Sequence, residues 1–76
     1  MPRYRINIDE VERLRLAKRV SKAALCRAAG IAYSTYKYAQ NGRNVRQLVA
    51  LGLADALDVP VEQIATPVDE PDRLAS

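Results

Sequence analysis

Residues Ser21 to Gly42, SKAALCRAAGIAYSTYKYAQNG, decide how this chain is read. Ser21 is an N-cap residue type, because its hydroxyl can accept from one of the orphan N–H groups in the first helical turn, and Val20 and Leu25 occupy the hydrophobic-staple positions on either side. Gly30 supplies the left-handed conformation that ends a helix. Only Ile31 and Ala32 then intervene before a second segment, which stops at Asn41-Gly42. The spacing predicts two short helices joined by a tight turn. Leu25, Ala28 and Ala29 are expected to face inward, and Cys26, with no histidine in the chain to activate it, reads as a small buried hydrophobe.

The second helix holds three of the four tyrosines of a chain that has no Phe and no Trp. At 100° per residue from Tyr33, Lys37 lies at about 40°, Asn41 at about 80°, Ser34 at about 100° and Tyr38 at about 140°, whereas Ala39 falls near ~240° and Tyr36 near ~300°. Tyr36 and Ala39 therefore belong to a core with Leu25 and Ile31. Tyr33, Ser34, Lys37 and Tyr38 form a polar, aromatic outer face. Ala32 cannot cap this helix through its side chain, so the helix start is either looser or shifted, with Ser34 as the cap.

Outward from this pair the same signals recur. Asn7 with Glu10 three residues on is a capping-box variant, with Ile6 and Val11 as the staple. A helix is expected from about Ile8 to Arg19, with Ile8, Val11, Leu14 and Ala17 on its buried stripe. After Gly42, Asn44 with Gln47 reads as the start of a helix running to about Leu57, ended by Asp58 and Pro60, and PVEQIA as a short fifth helix whose Val61 and Ile64 close the core. With Ala50, Leu53, Ala54 and Leu57 turned inward, the fourth helix leaves Leu48, Leu51 and Gly52 on its other side. That face is a candidate homodimer contact, unless the N-terminal YRI folds back over it. Residues 1-6 read as an arm or a short strand, residues 7-65 as the folded domain, and residues 66-76, with two prolines and three acids, as a disordered acidic tail. The fold class expected is all-α, with five helices.

Composition narrows the function. A chain of 76 residues makes one small domain, which buries only about 60% of its unfolded surface. One cysteine and no histidine exclude an internal disulfide and a His/Cys zinc site. There is no phosphate-binding glycine loop and no paired-carboxylate constellation beyond Asp9, Glu10 and Glu12, so an enzyme lacks candidates. No cofactor, metal or small-molecule ligand is expected. Without a signal peptide or a membrane-length apolar run, the expected location is the cytoplasm, with no membrane partner. The net charge is +3, and from Arg13 to Ala54 there are nine Lys and Arg residues and no Asp or Glu. Such a segregated basic block is the footprint of a polyanion partner.

Two short helices around a glycine turn, within a basic block, outline a helix-turn-helix. The stretch SKAALCRAAGIAYSTYKYAQNG resembles the helix-turn-helix of the Xre/Cro family of phage and bacterial repressors, in Leu25, Gly30, Ile31, Tyr36, Ala39 and Asn41-Gly42. The resemblance extends from Val11 to about Ile64. It departs from the common pattern at Lys22, Cys26, Ala32 and Gln40, which leaves the motif intact but unsettles the start of the second helix. It implies a compact five-helix, lambda-repressor-like domain in the cytoplasm of a bacterial host, whose second motif helix reads the major groove of double-stranded DNA.

On that footing Tyr33, Ser34, Lys37 and Tyr38 are the candidates for base contacts, and Lys22, Asn41, Arg43, Asn44 and Arg46 for contacts to the DNA backbone. The expected function is sequence-specific transcription regulation by a Cro-like repressor of a temperate phage or prophage, acting by operator occupancy and without a separate sensor domain. The alternative is a protein-interaction module, an antirepressor or antitoxin, whose basic face binds an acidic partner.

Overall fold

A computed structural model describes residues 3–68. The elements are β1 (Arg3–Ile6), α1 (Ile8–Lys18), α2 (Lys22–Ala29), α3 (Tyr33–Gln40), β2 (Val45–Arg46), α4 (Gln47–Leu57), α5 (Val61–Ile64) and β3 (Ala65–Val68). α1 and α2 start where their caps place them. Asn7 Oδ1 accepts from the Glu10 amide at 3.3 Å and Ser21 Oγ from the Ala24 amide at 3.0 Å. Gly30 ends α2 at φ +74°, and the Ile31 amide reaches back to the Cys26 carbonyl at 3.0 Å. Arg19 and Asp58 end α1 and α4 in the same left-handed region at φ 58° and 59°, without glycine's freedom from Cβ strain.

The fold is not purely helical. β1 is the centre of a three-stranded antiparallel sheet ordered β2-β1-β3. Tyr4 stands opposite both Val45 and Pro67, and Ile6 opposite Ala65. Ile6, Val45 and Ala65 are buried, so one face of the sheet closes the helical core while Arg3 and Arg5 alternate onto the other. The open alternative at the N-terminus resolves to a strand for residues 3–6. The disordered tail expected from residue 66 does not hold at residues 66–68, where Thr66, Pro67 and Val68 pair with β1; Pro67 is tolerated because β3 is an edge strand. The rest of that tail, residues 69–76, lies outside the described residues.

The sheet also displaces the expected start of α4. Val45 and Arg46 are drawn into β2, so the helix begins at Gln47 with Arg46 at the N-cap and no side-chain cap; Asn44 is not its cap.

The core is built around Val11, Tyr36, Leu53, Leu57 and Ile64, all essentially without solvent exposure, with Leu25, Cys26, Ala39, Ala50 and Ala54 beside them. Two expected inward residues are turned out, Ala17 on α1 and Ala28 on α2, whereas Cys26 is buried as expected. Gly52 is a further correction. A Cβ on Gly52 would lie 2.4 Å from the Ala29 carbonyl oxygen, so this glycine faces α2 and permits the close approach of the two helices rather than contributing to an outer face. Leu48 and Leu51 do remain exposed, at 77% and 42%, and β1 does not cover them.

Candidate nucleic-acid interface

α3 is held from beneath by its one buried tyrosine. The Tyr36 ring has no solvent exposure, and its hydroxyl donates a hydrogen bond to the Glu12 carboxylate of α1. The same carboxylate accepts from Arg15 Nε and Nη2 at 3.2 and 2.6 Å, and Arg15 Nη1 donates to the Val20 carbonyl at 2.8 Å. This network joins α1, the α1–α2 turn and α3. Hydrogen bonding from Arg15 holds the Glu12 carboxyl below its ordinary range against the opposing cost of burial, with further help from Tyr36 and the charge of Lys22. Burial, reinforced by the neighbouring Glu12 carboxylate, pushes the Tyr36 hydroxyl above the usual tyrosine range.

The opposite face of α3 carries the residues expected to read bases. Tyr33 and Tyr38 are exposed at 47% and 48%, and Ser34 and Lys37 are exposed with them. The helix starts at Tyr33, and Ser34 is not its cap; the Ala32 carbonyl accepts from the Thr35 and Tyr36 amides at 3.0 and 3.2 Å, and no side chain caps it. Tyr38 is steadied by the Arg43 guanidinium, 5.7 Å above its ring centre, a cation–π contact.

The residues expected to touch the DNA backbone surround this face. Lys22 opens α2, half-buried and near enough to Glu12 to act on its charge. Asn41 is the exposed C-cap of α3. Arg43 and Arg46 are exposed, and Asn44 is half-buried between them.

The basic block is less uniform in space than in sequence. Arg13 pairs with Glu10 one turn earlier, and Arg15 with Glu12, so these two cations are already matched by acids just upstream. Glu10 is lowered to about 2, first by the Arg13 hydrogen bond and then by one from Gln63 Nε2 at 3.0 Å. Two cations outside the block stand near the end of α3. β1 carries Arg3 and Arg5 past the end of α3, where they line a cleft of about 300 Å³ with Tyr38, Gly42, Arg43 and Asn44. The sequence signal was the alternation in RYRI, legible only once β1 is known to be a strand.

A helix-turn-helix whose second helix is anchored on one side and displays exposed polar and aromatic residues on the other defines a DNA-binding module. The chain belongs to the Cro/C1-type HTH DNA-binding domain family, which it matches over residues 5–70. Neither the curated proteins nor the solved structures gave a significant match. The protein is thus a DNA-binding regulator and its partner is double-stranded DNA. Among the described residues no helix is long and apolar enough to cross a membrane.

Proposed function

We propose that the protein is a sequence-specific, Cro-like repressor, of the kind used by temperate phages and prophages, that acts by occupying operator DNA. The observation that carries this reading is the division of α3. Tyr36 and Ala39 are buried, which leaves Tyr33, Ser34, Lys37 and Tyr38 together on the open face. In the major groove Lys37 donates to guanine O6/N7, Ser34 exchanges a hydrogen bond with a base edge, and the tyrosine rings lie against thymine methyl groups. Lys22, Asn41, Arg43, Asn44 and Arg46 hold the phosphates on either side and set the register.

Exposed Leu48 and Leu51, one turn apart on α4, form the contact through which two copies pair. A dimer of this kind binds an inverted repeat with half-sites about one DNA turn, ~34 Å, apart. Leu51→Glu should lower the mass seen by light scattering to that of one chain; an unchanged mass removes this contact.

Selection from a randomised duplex pool tests the whole reading. A recovered consensus, bound with an affinity that falls steeply with salt, is the expected result. Binding without any sequence preference contradicts it and favours an acidic protein as the partner of the basic face.

A further inference from the structure

The cleft beside the C-terminal end of α3 joins Tyr38, Arg43 and Asn44, assigned above, to Arg3 and Arg5, which none of those contacts uses. Among the described residues its lining includes three arginines, Arg3, Arg5 and Arg43, together with Tyr38. A helix C-terminus carries about half a negative charge, which by itself repels anions. Arg5 and Arg43 alone outweigh it.

Guanidinium is the side chain best matched to a phosphate, because its planar fork donates two parallel hydrogen bonds to it. Arg43 is held over the Tyr38 ring, and Gly42 narrows nothing with a side chain.

We propose that this cleft is a phosphate-binding site and that its phosphate is one of the DNA backbone at the wall of the groove α3 occupies; the assignment rests on the DNA-binding reading given above. The dimensions support it. α3 has eight residues and is therefore about 12 Å long at 1.5 Å per residue, close to the ~12 Å width of the major groove. With residues along α3 on base edges, its C-terminal end meets the phosphate wall. Arg3 and Arg5, far from α3 in sequence, thus act as backbone clamps delivered by the sheet.

The test measures binding against salt for the wild-type chain and for Arg3→Gln and Arg5→Gln, singly and together, on the selected site and on random duplex. Arg5→Lys serves as a charge-retaining control, and urea unfolding checks that the sheet persists. Each Gln substitution should make the log-log salt slope shallower by about 0.9. It should weaken both duplexes by the same factor, leave the preferred sequence unchanged, and be largely rescued in Arg5→Lys. Wild-type binding with a normal slope that the double variant retains would overturn the cleft assignment and leave the DNA-binding reading standing. A wild-type chain with no salt-dependent duplex binding would overturn both. A parallel titration with inorganic phosphate alone, followed by NMR at the arginine side chains, separates the sources: saturation lost in the double variant while its duplex binding is unaffected assigns the cleft to a free phosphate-bearing ligand and overturns the DNA assignment.

Discussion

Tyr36 and Tyr38 are two residues apart on one short helix, yet they occupy opposite environments. Tyr36 is fully enclosed, and its hydroxyl is bound to Glu12 beneath the helix. Tyr38 is about half exposed, stacked under Arg43 at the edge of a cationic cleft. The side chain is the same in both places; the 200° between the positions makes one an anchor and leaves the other on the open face. Removing the first should therefore cost the fold, and removing the second should cost recognition.

The largest effect is expected from the anchor. Tyr36→Ala leaves a cavity in the middle of the core and should lower stability by about 3 to 5 kcal/mol, read by urea unfolding. For so small a domain that is most of the total. Tyr36→Phe keeps the ring and loses only the hydrogen bond to a charged acceptor, a loss of about 1.5 to 3 kcal/mol. On the open side, Lys37→Ala should leave unfolding within about 0.5 kcal/mol of wild type while changing discrimination at one base pair by about 1 to 3 kcal/mol. Lys22→Ala should weaken all duplexes about equally, as a phosphate contact does.

The scaffold beneath both faces gives the next test. Gly52→Ala puts a methyl group 2.4 Å from the Ala29 carbonyl oxygen and should destabilise by about 1 to 3 kcal/mol through overpacking between α2 and α4.

The anchor also predicts a pH signature. The Tyr36 hydroxyl is raised in the folded state, so above pH ~10 the unfolded chain loses a proton that the folded one keeps. Stability should fall as pH rises through that point, and Tyr36→Phe should remove this component. Glu10 and Glu12 are held below the ordinary carboxylate range on folding, Glu10 at about 2. Their contribution is present above that ordinary range and is lost as pH falls through the lowered values, about 2 for Glu10, which unfolding midpoints across an acid series would register. The smallest effect is expected at Arg19, where φ is 58°. Arg19→Gly relieves left-handed strain but adds unfolded-state entropy, and the net gain should not exceed about 1 kcal/mol.

What was legible in the sequence was whatever is decided within a few residues of chain. The caps at Asn7 and Ser21, the stop at Gly30 and the two-sided pattern of α3 all rest on hydrogen bonds or periodicity spanning one or two turns. The sheet was not legible, because its pairings join Tyr4 to Val45 and to Pro67. No local pattern records a partner some forty or sixty residues away, and a proline and a two-residue strand argue locally against strands. Missing β2 misplaced the start of α4, and missing β3 put Thr66 to Val68 in a tail. Gly52 was misread for a related reason: an apolar helix surface does not reveal which glycine has another backbone against it. At the interface, the outer face of α3 was legible from its angular spacing. Arg3 and Arg5 were not, since their place beside Tyr38 depends on the sheet, and the pairing of Arg13 and Arg15 with Glu10 and Glu12 was hidden by treating the basic block as a whole.

The central claim is that the open face of α3 reads base sequence. It is tested most directly by measuring Tyr38→Ala on the selected site, on its single-base variants and on random duplex, alongside wild type at one salt concentration. The account predicts that discrimination at one base pair collapses, by about 1 to 3 kcal/mol, with a much smaller change on random duplex. Equal losses on every duplex would contradict it, and would show that this side chain touches only the DNA backbone.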